Sequence, residues 1–171
     1  MSEKDTTASP TPTPAPSPME LVLQFHHTYS VPIRPFSDPT LDYERMNMRM
    51  SLIAEEFAEL MGAVYGPRAR AIIEAATAEA VAADEGERDV IEAADALADL
   101  VYVVYGMAIE SGMNLDSVLA EVQASNLSKL MPDGSVKLRE DGKVLKGPNF
   151  FQPNIARGLG LESSTDGSDA D

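Results

Sequence analysis

From Met46 onward the apolar positions Met46, Met50, Ile53, Phe57, Leu60 and Val64 recur at steps of four and three, the spacing of one face of an α-helix. Gly66-Pro67 ends that segment, and the Ala-rich RARAIIEAATAEAVAA behind it predicts a third helix. Ahead of it, MELVLQFHHTY predicts a short first helix. It is stopped by VPIRPFSDPT, where Pro32, Pro35 and Pro39 forbid a continuing helix and Asp38 or Thr40 stands where a cap for the second is expected. Beyond the Asp84-Glu85-Gly86 turn a fourth helix runs from about Asp89 to Ser111, with Gly112 as its C-cap. LDSVLAEVQASNLSKL is a fifth, opened by Asn114 or Asp116. The following PDGSVKLREDGKVLKGPNFFQP carries Asp-Gly turn signals at Asp133 and Asp141 and reads as an irregular or hairpin-like lobe.

The expected architecture is all-α, a four- to five-helix bundle with a small irregular C-terminal lobe. Residues 1–18, rich in Pro, Thr, Ser and Ala, are expected to be a disordered tail, residues 19–159 the folded domain, and residues 160–171 a short acidic tail. Composition agrees, because aromatic residues make up only 6% of the 171 positions and there is no Trp.

Charge and the missing cysteines narrow the chemistry. A formal charge of -15 lacks the basic footprint that nucleic-acid binding needs. No apolar run approaches the ~20 residues of a membrane span, and the N-terminus has no signal-peptide core, so a cytoplasmic location is expected. Without Cys there is no thiolate nucleophile and no Cys-based zinc site. His26 and His27 are adjacent, point about 100° apart on a helix and cannot chelate one ion together.

The candidate chemistry lies in EAADALADLVYVVYG, Glu92 to Gly106. Glu92, Asp95 and Asp99 share one side of the fourth helix, within about 60° of one another. Ile91, Tyr102 and Val103 flank them, whereas a solvated face would be polar throughout. A helix apolar nearly all round is a buried helix, so these acids are expected to face the protein interior or a cleft. Carboxylates there need compensation, and the segment contains no Lys or Arg. A second acidic group, Glu55, Glu56 and Glu59, runs along one edge of the second helix, with Glu56 bordering its apolar stripe. If the second and fourth helices pack antiparallel, the two groups face each other as an oxygen cage. Such a cage suits Mg2+, with Mn2+ as the alternative, and so many carboxylates imply two or more ions.

EEFAE and EAADALADLVYVVYG, with the later AEVQASNLSK and DGKVLKGPNFFQP, resemble the all-α nucleoside triphosphate pyrophosphatase superfamily. That superfamily includes MazG-like proteins, dimeric dUTPases and phosphoribosyl-ATP pyrophosphohydrolases. The resemblance covers about Met19 to Ile155 and implies metal-dependent cleavage of an α-β phosphoanhydride to a monophosphate and pyrophosphate. It makes Glu56 and Glu59 metal ligands and Glu55 a further ligand or the group that orients the attacking water. The second motif fits either as Glu92 with Asp95 or as Asp95 with Asp99; in the latter register Ala96 stands where the motif has Glu. The expected substrate is a dNTP such as dUTP, with phosphoribosyl-ATP as the alternative and a non-catalytic helical interaction module as the third reading. A homodimer or homotetramer is implied too. Lys129, Lys143 and Lys146 are candidates for the phosphates and Asn126 for sugar or phosphate. Phe150 and Phe151 either stack a base or anchor the terminal lobe.

Overall fold

The computed structural model describes residues 15–138 and 143–162. Both expected tails lie largely outside the described residues, as does the Asp141-Gly142 turn. Among the described residues six helices follow one another: α1 (Pro18–Thr28), α2 (Met46–Tyr65), α3 (Pro67–Ala82), α4 (Val90–Glu110), α5 (Leu115–Leu127) and α6 (Ile155–Gly158). Among the described residues there is no strand, only an antiparallel bridge between Leu138 and Val144 that closes the expected hairpin-like piece. The protein is thus an all-α helical bundle, as its sequence pattern predicts.

Local chemistry sets most helix ends. Ser17 and Glu20 form a reciprocal capping box at the start of α1. Asp89 accepts from the backbone N–H groups of Ile91 and Glu92 at 2.9 and 3.0 Å, and Asn114 accepts from Ser117 N–H at 3.2 Å. Gly66, at φ 96°, ends α2 and directly precedes Pro67 at the first position of α3. The start of α2 differs from expectation. Neither Asp38 nor Thr40 caps it: Asp38 is ion-paired to Arg34 at 2.7 Å and Thr40 Oγ1 accepts from Asp42 N–H in a local turn. The helix begins at Met46 without a side-chain cap.

The chain divides into two units. One, Arg34–Val103, holds α2, α3 and the first part of α4. Here α2 and α3 form a closely packed hairpin, and the face of α2 turned to α3 is the small-residue one, Ala54, Ala58 and Gly62. Ala58 is buried, and a Cβ on Gly62 would come within 3.1 Å of Arg70 Cβ. Beyond Met46, the apolar stripe that reads as the core face is left half-exposed, from Leu60 at 38% to Met50 at 54%. The antiparallel packing of α2 on α4 does not occur: α2 with α3, α5 with α6 and α1 with α5 are the closely packed pairs.

The other unit holds α1, the end of α4, α5, α6 and the C-terminal lobe. Tyr29 is fully buried and its hydroxyl donates to the carbonyl of Asn126 at 2.7 Å, at the end of α5. Gln123, also buried, donates to Leu21 O at 3.0 Å, so α1 is tied to α5 by side chains that reach backbone carbonyls. Ser125 Oγ donates to Phe151 O at 2.7 Å and Phe151 N–H to Ser128 Oγ at 3.1 Å. These bonds hold the terminal segment by its backbone; the Phe151 ring itself stays half-exposed, so it is no core anchor. Arg157 of α6 clamps Glu121 of α5 with two bonds of 2.7 and 2.6 Å. This short α6, capped by Asn154, is the one helix the periodicity does not predict.

Candidate active site

On α2, Glu55, Glu56 and Glu59 are all exposed. Glu59 is held from the neighbouring helix, its Oε1 lying 3.2 Å from Arg70 Nη2, while Arg70 Nε donates to Glu74 at 2.7 Å. Arg70 is thus fixed between the two helices, and the carboxylates of Glu74 and Glu59 hold its guanidinium still more firmly in the charged form. Sequence reading misses Arg70. The Arg70 to Glu74 spacing of four is visible in RARAIIE, but the reach to Glu59 depends on how the hairpin closes over Gly62.

On α4, Glu92, Asp95 and Asp99 are exposed as well, and so is almost the whole helix. The expectation that these acids face a protein interior fails within the single chain. Its physical content survives in another form: the residues flanking the acids are themselves exposed apolar ones, Ile91 at 84%, Tyr102 at 81% and Val103 at 60%. The C-terminal end of α4 is fixed by Tyr105, whose hydroxyl donates to Asp116 at 2.8 Å.

The expected oxygen cage is not assembled inside one chain. Among the described residues no three His, Asp or Glu side chains come close enough to hold a metal ion. Each helix offers carboxylates of the right chemistry for Mg2+ or Mn2+, but a helix alone splays them outward, and α4 does not lie along α2. The fit to a metal is therefore chemical and not geometric in the isolated chain. Neither register of the second motif is favoured by position.

Of the candidate phosphate ligands, Asn126 and Lys129 are in direct contact. Lys129 is half-buried just past α5, and its Nζ donates to Asn126 Oδ1 at 2.7 Å. Burial, and then the nearby charge of Lys146, lower its pKa below the 10.5 of a free lysine. Lys146 Nζ sits 4.3 Å from the centroid of the Phe150 ring, a cation–π contact that places it. Gly147 locks the two segments together: its N–H donates to Lys129 O at 3.0 Å, and a Cβ there would lie 2.4 Å from Leu130 O. Lys143 is half-buried beside the Leu138–Val144 bridge. Lys129 is half-buried and Lys146 exposed, and an anion is favoured where these two like charges repel each other.

The sign of the Lys129 shift gives a testable pH dependence. A lysine with a lowered pKa binds fewer protons folded than unfolded, so its cost to stability is present at neutral pH and fades as pH rises from the folded pKa toward 10.5. A bound anion restores the charge, so anion affinity is lost at a lower pH than for a free lysine. Titrating pyrophosphate calorimetrically at rising pH should show affinity that begins to fall below pH 10.5 in the native protein, and weaker binding without that loss in Lys129→Met.

The fold is all-α and the acids stand on two separate helices, and comparison with known proteins places the chain in the class of nucleotide pyrophosphohydrolases. The family model of phosphoribosyl-ATP pyrophosphohydrolase matches residues 22–126, and the chain belongs to that family of enzymes. The matched segment contains every candidate carboxylate and Asn126, and it ends before the lysines. Among solved structures, the crystal structure of a candidate NTP pyrophosphohydrolase from Exiguobacterium sp. 255-15 superposes with a TM-score of 0.62. It is 28% identical, over 81% of this chain and 89% of that one. No curated protein matches the chain. Among the described residues no helix is long and apolar enough to cross a membrane.

Proposed function

We propose that the protein hydrolyses the α-β phosphoanhydride of a nucleoside triphosphate, a dNTP such as dUTP, to the monophosphate and pyrophosphate. The observation that carries this reading is the pair of acidic groups, Glu55-Glu56-x-x-Glu59 and Glu92-x-x-Asp95-x-x-x-Asp99, both inside the segment shared with the pyrophosphohydrolase family. In it Glu56, Glu59, Glu92, Asp95 and Asp99 are the metal ligands, Glu55 orients the attacking water, and two or more Mg2+ or Mn2+ ions are required. Lys129, Lys146 and Lys143, with Asn126, serve phosphate oxygens. A protein of charge -15 needs such cationic help to accept a polyphosphate at all. A homodimer or homotetramer in the cytoplasm belongs to the same reading, supported by the exposed apolar faces of α2 and α4.

A second substrate reading, phosphoribosyl-ATP, is favoured by the family match itself. It calls for cleavage of the same bond, so the two differ in the pocket that accepts the base and sugar. Measuring pyrophosphate release over dNTPs, NTPs and phosphoribosyl-ATP, with metal and with EDTA, decides between them. Turnover of dUTP or another dNTP that EDTA abolishes is the expected result. Turnover confined to phosphoribosyl-ATP transfers the reaction to that substrate, and no pyrophosphate from any of them defeats both readings.

A further inference from the structure

Among the described residues Tyr29 is the largest side chain that is fully buried, and it reaches the turn from which Asn126 and Lys129 project. It closes α1, its ring against that of Phe25 with centroids 4.5 Å apart. Its hydroxyl donates to Asn126 O at 2.7 Å and more weakly to Leu127 O at 3.2 Å. Burial raises its pKa above the 10.0 of a free tyrosine, and backbone hydrogen bonds at Leu130 and then Lys129 pull it only part of the way back. The hydroxyl is therefore a protonated donor at neutral pH, set among the backbone groups that follow α5.

Docking of α1 on α5 does not need this bond. One turn earlier Gln123 already joins the two helices, through Leu21 O at 3.0 Å and Gln24 Oε1 at 3.1 Å, and a Phe ring would fill the place of Tyr29. What the hydroxyl adds is local to the end of α5. The last carbonyls of a helix have no partner within it, and Lys129 N–H reaches Asn126 O at no better than 3.3 Å. Tyr29 and Lys129 thus converge on one carbonyl oxygen. The residue that owns this oxygen also receives Lys129 Nζ on its side chain at 2.7 Å, and on the far side Lys129 O accepts from Gly147 N–H at 3.0 Å. A long, rotatable lysine stem holds its ammonium against a partner three residues away only while the turn between them is fixed.

We infer that Tyr29 is a positioning residue for anion binding: its hydroxyl fixes the turn from Asn126 to Lys129, so that the two side chains meet a phosphate oxygen as one preformed pair. This rests on the reading of Asn126 and Lys129 as phosphate ligands given above. Tyr29 is itself buried and acts only through that pair. Removing its hydroxyl leaves Asn126 O with the long Lys129 bond and deprives Leu127 O of its contact. The turn then loosens, and ordering the lysine becomes a cost of binding.

The test compares two changes in the same helix contact. Tyr29→Phe keeps the ring and removes the donor, while Gln123→Met removes the other hydrogen bonds between α1 and α5, none of which involves the turn. Pyrophosphate binding is measured by calorimetry in the native protein, in each variant, in Lys129→Met and in Tyr29→Phe/Lys129→Met. Urea unfolding gives the stability of each, and amide hydrogen exchange is followed by NMR without ligand. Tyr29→Phe is expected to weaken pyrophosphate roughly 10-fold, the lower end of what losing an orienting hydrogen bond behind a ligand costs. It should also speed exchange at the Lys129 and Gly147 amides more than at amides inside α1. Gln123→Met should lower the unfolding midpoint and keep native affinity. On top of Lys129→Met, Tyr29→Phe should cost little further, because the hydroxyl works through that lysine. Native affinity in Tyr29→Phe overturns the inference, and so do fully additive losses in the double variant. Equal losses in Tyr29→Phe and Gln123→Met overturn it too, since affinity would then follow the docking of α1 as a whole. A native protein that binds no pyrophosphate defeats the reading of the pair as phosphate ligands. In that event faster exchange at Lys129 in Tyr29→Phe still supports the hold on the turn, and unchanged exchange overturns it.

Discussion

Asp95→Asn is expected to reduce pyrophosphate release by roughly 10²-fold or more, the scale seen when one element of preorganised charge stabilisation is removed from an active site. Asp95 belongs to both readings of the second acidic motif, as the partner of Glu92 or of Asp99, so its loss damages the site in either register. Its side chain is exposed in the single chain, which makes a folding defect an unsuitable explanation for lost activity. The amide keeps size and shape and removes only the negative charge. Thermal unfolding should therefore stay close to native while turnover collapses and Mn2+ titration weakens. Glu92→Gln and Asp99→Asn, measured beside it, separate the registers: the one that costs as much as Asp95→Asn identifies the working pair. Full activity in all three variants would remove α4 from the chemistry.

Gly147→Ala should cost about 1–3 kcal/mol of stability, the range for forcing extra volume into a packed position, and pyrophosphate affinity should fall with it. The added Cβ would sit 2.4 Å from Leu130 O, and the obstruction is backbone, which cannot swing aside as a flexible side chain does. Either the Gly147–Lys129 hydrogen bond breaks or the segment moves outward, and in both cases Lys146 leaves its place beside Lys129. Urea unfolding checks the first effect and calorimetry with pyrophosphate the second. A shared loss links the lysine cradle to this one close approach. A destabilised variant with native anion affinity would show that the cradle does not depend on it.

How far the sequence can be read follows from the range of each interaction. Five helices are legible because their signals are local: the steps of four and three after Met46, the Gly66-Pro67 break, the start near Asp89, the polar pair Asn114 and Asp116, and Gly112 past α4. The short α6 is not, since four residues carry no periodicity. The late start of α2 is hidden because Asp38 and Thr40, good caps by type, are engaged by Arg34 and Asp42. Periodicity also says that a helix is apolar all round without saying which chain covers it, and that is where the reading of α4 departs from the structure. Of the candidate site, the acids and Lys129 are visible as residue types in a pattern. Arg70 holding Glu59, Phe150 under Lys146 and the Gly147 contact join residues through tertiary packing, and no spacing announces them.

The α2–α3 hairpin is joined through Gly66 alone, so the contacts between its two helices link residues near one another in the sequence. The chain entropy lost in closing such a turn is small, and structures built from local contacts form quickly. The hairpin can therefore stand complete while later residues are still being synthesised, with Glu55, Glu56 and Glu59 already in place and α4 arriving afterward. Chain order becomes assembly order. The first group of acids stands on a finished hairpin before the second has left the ribosome.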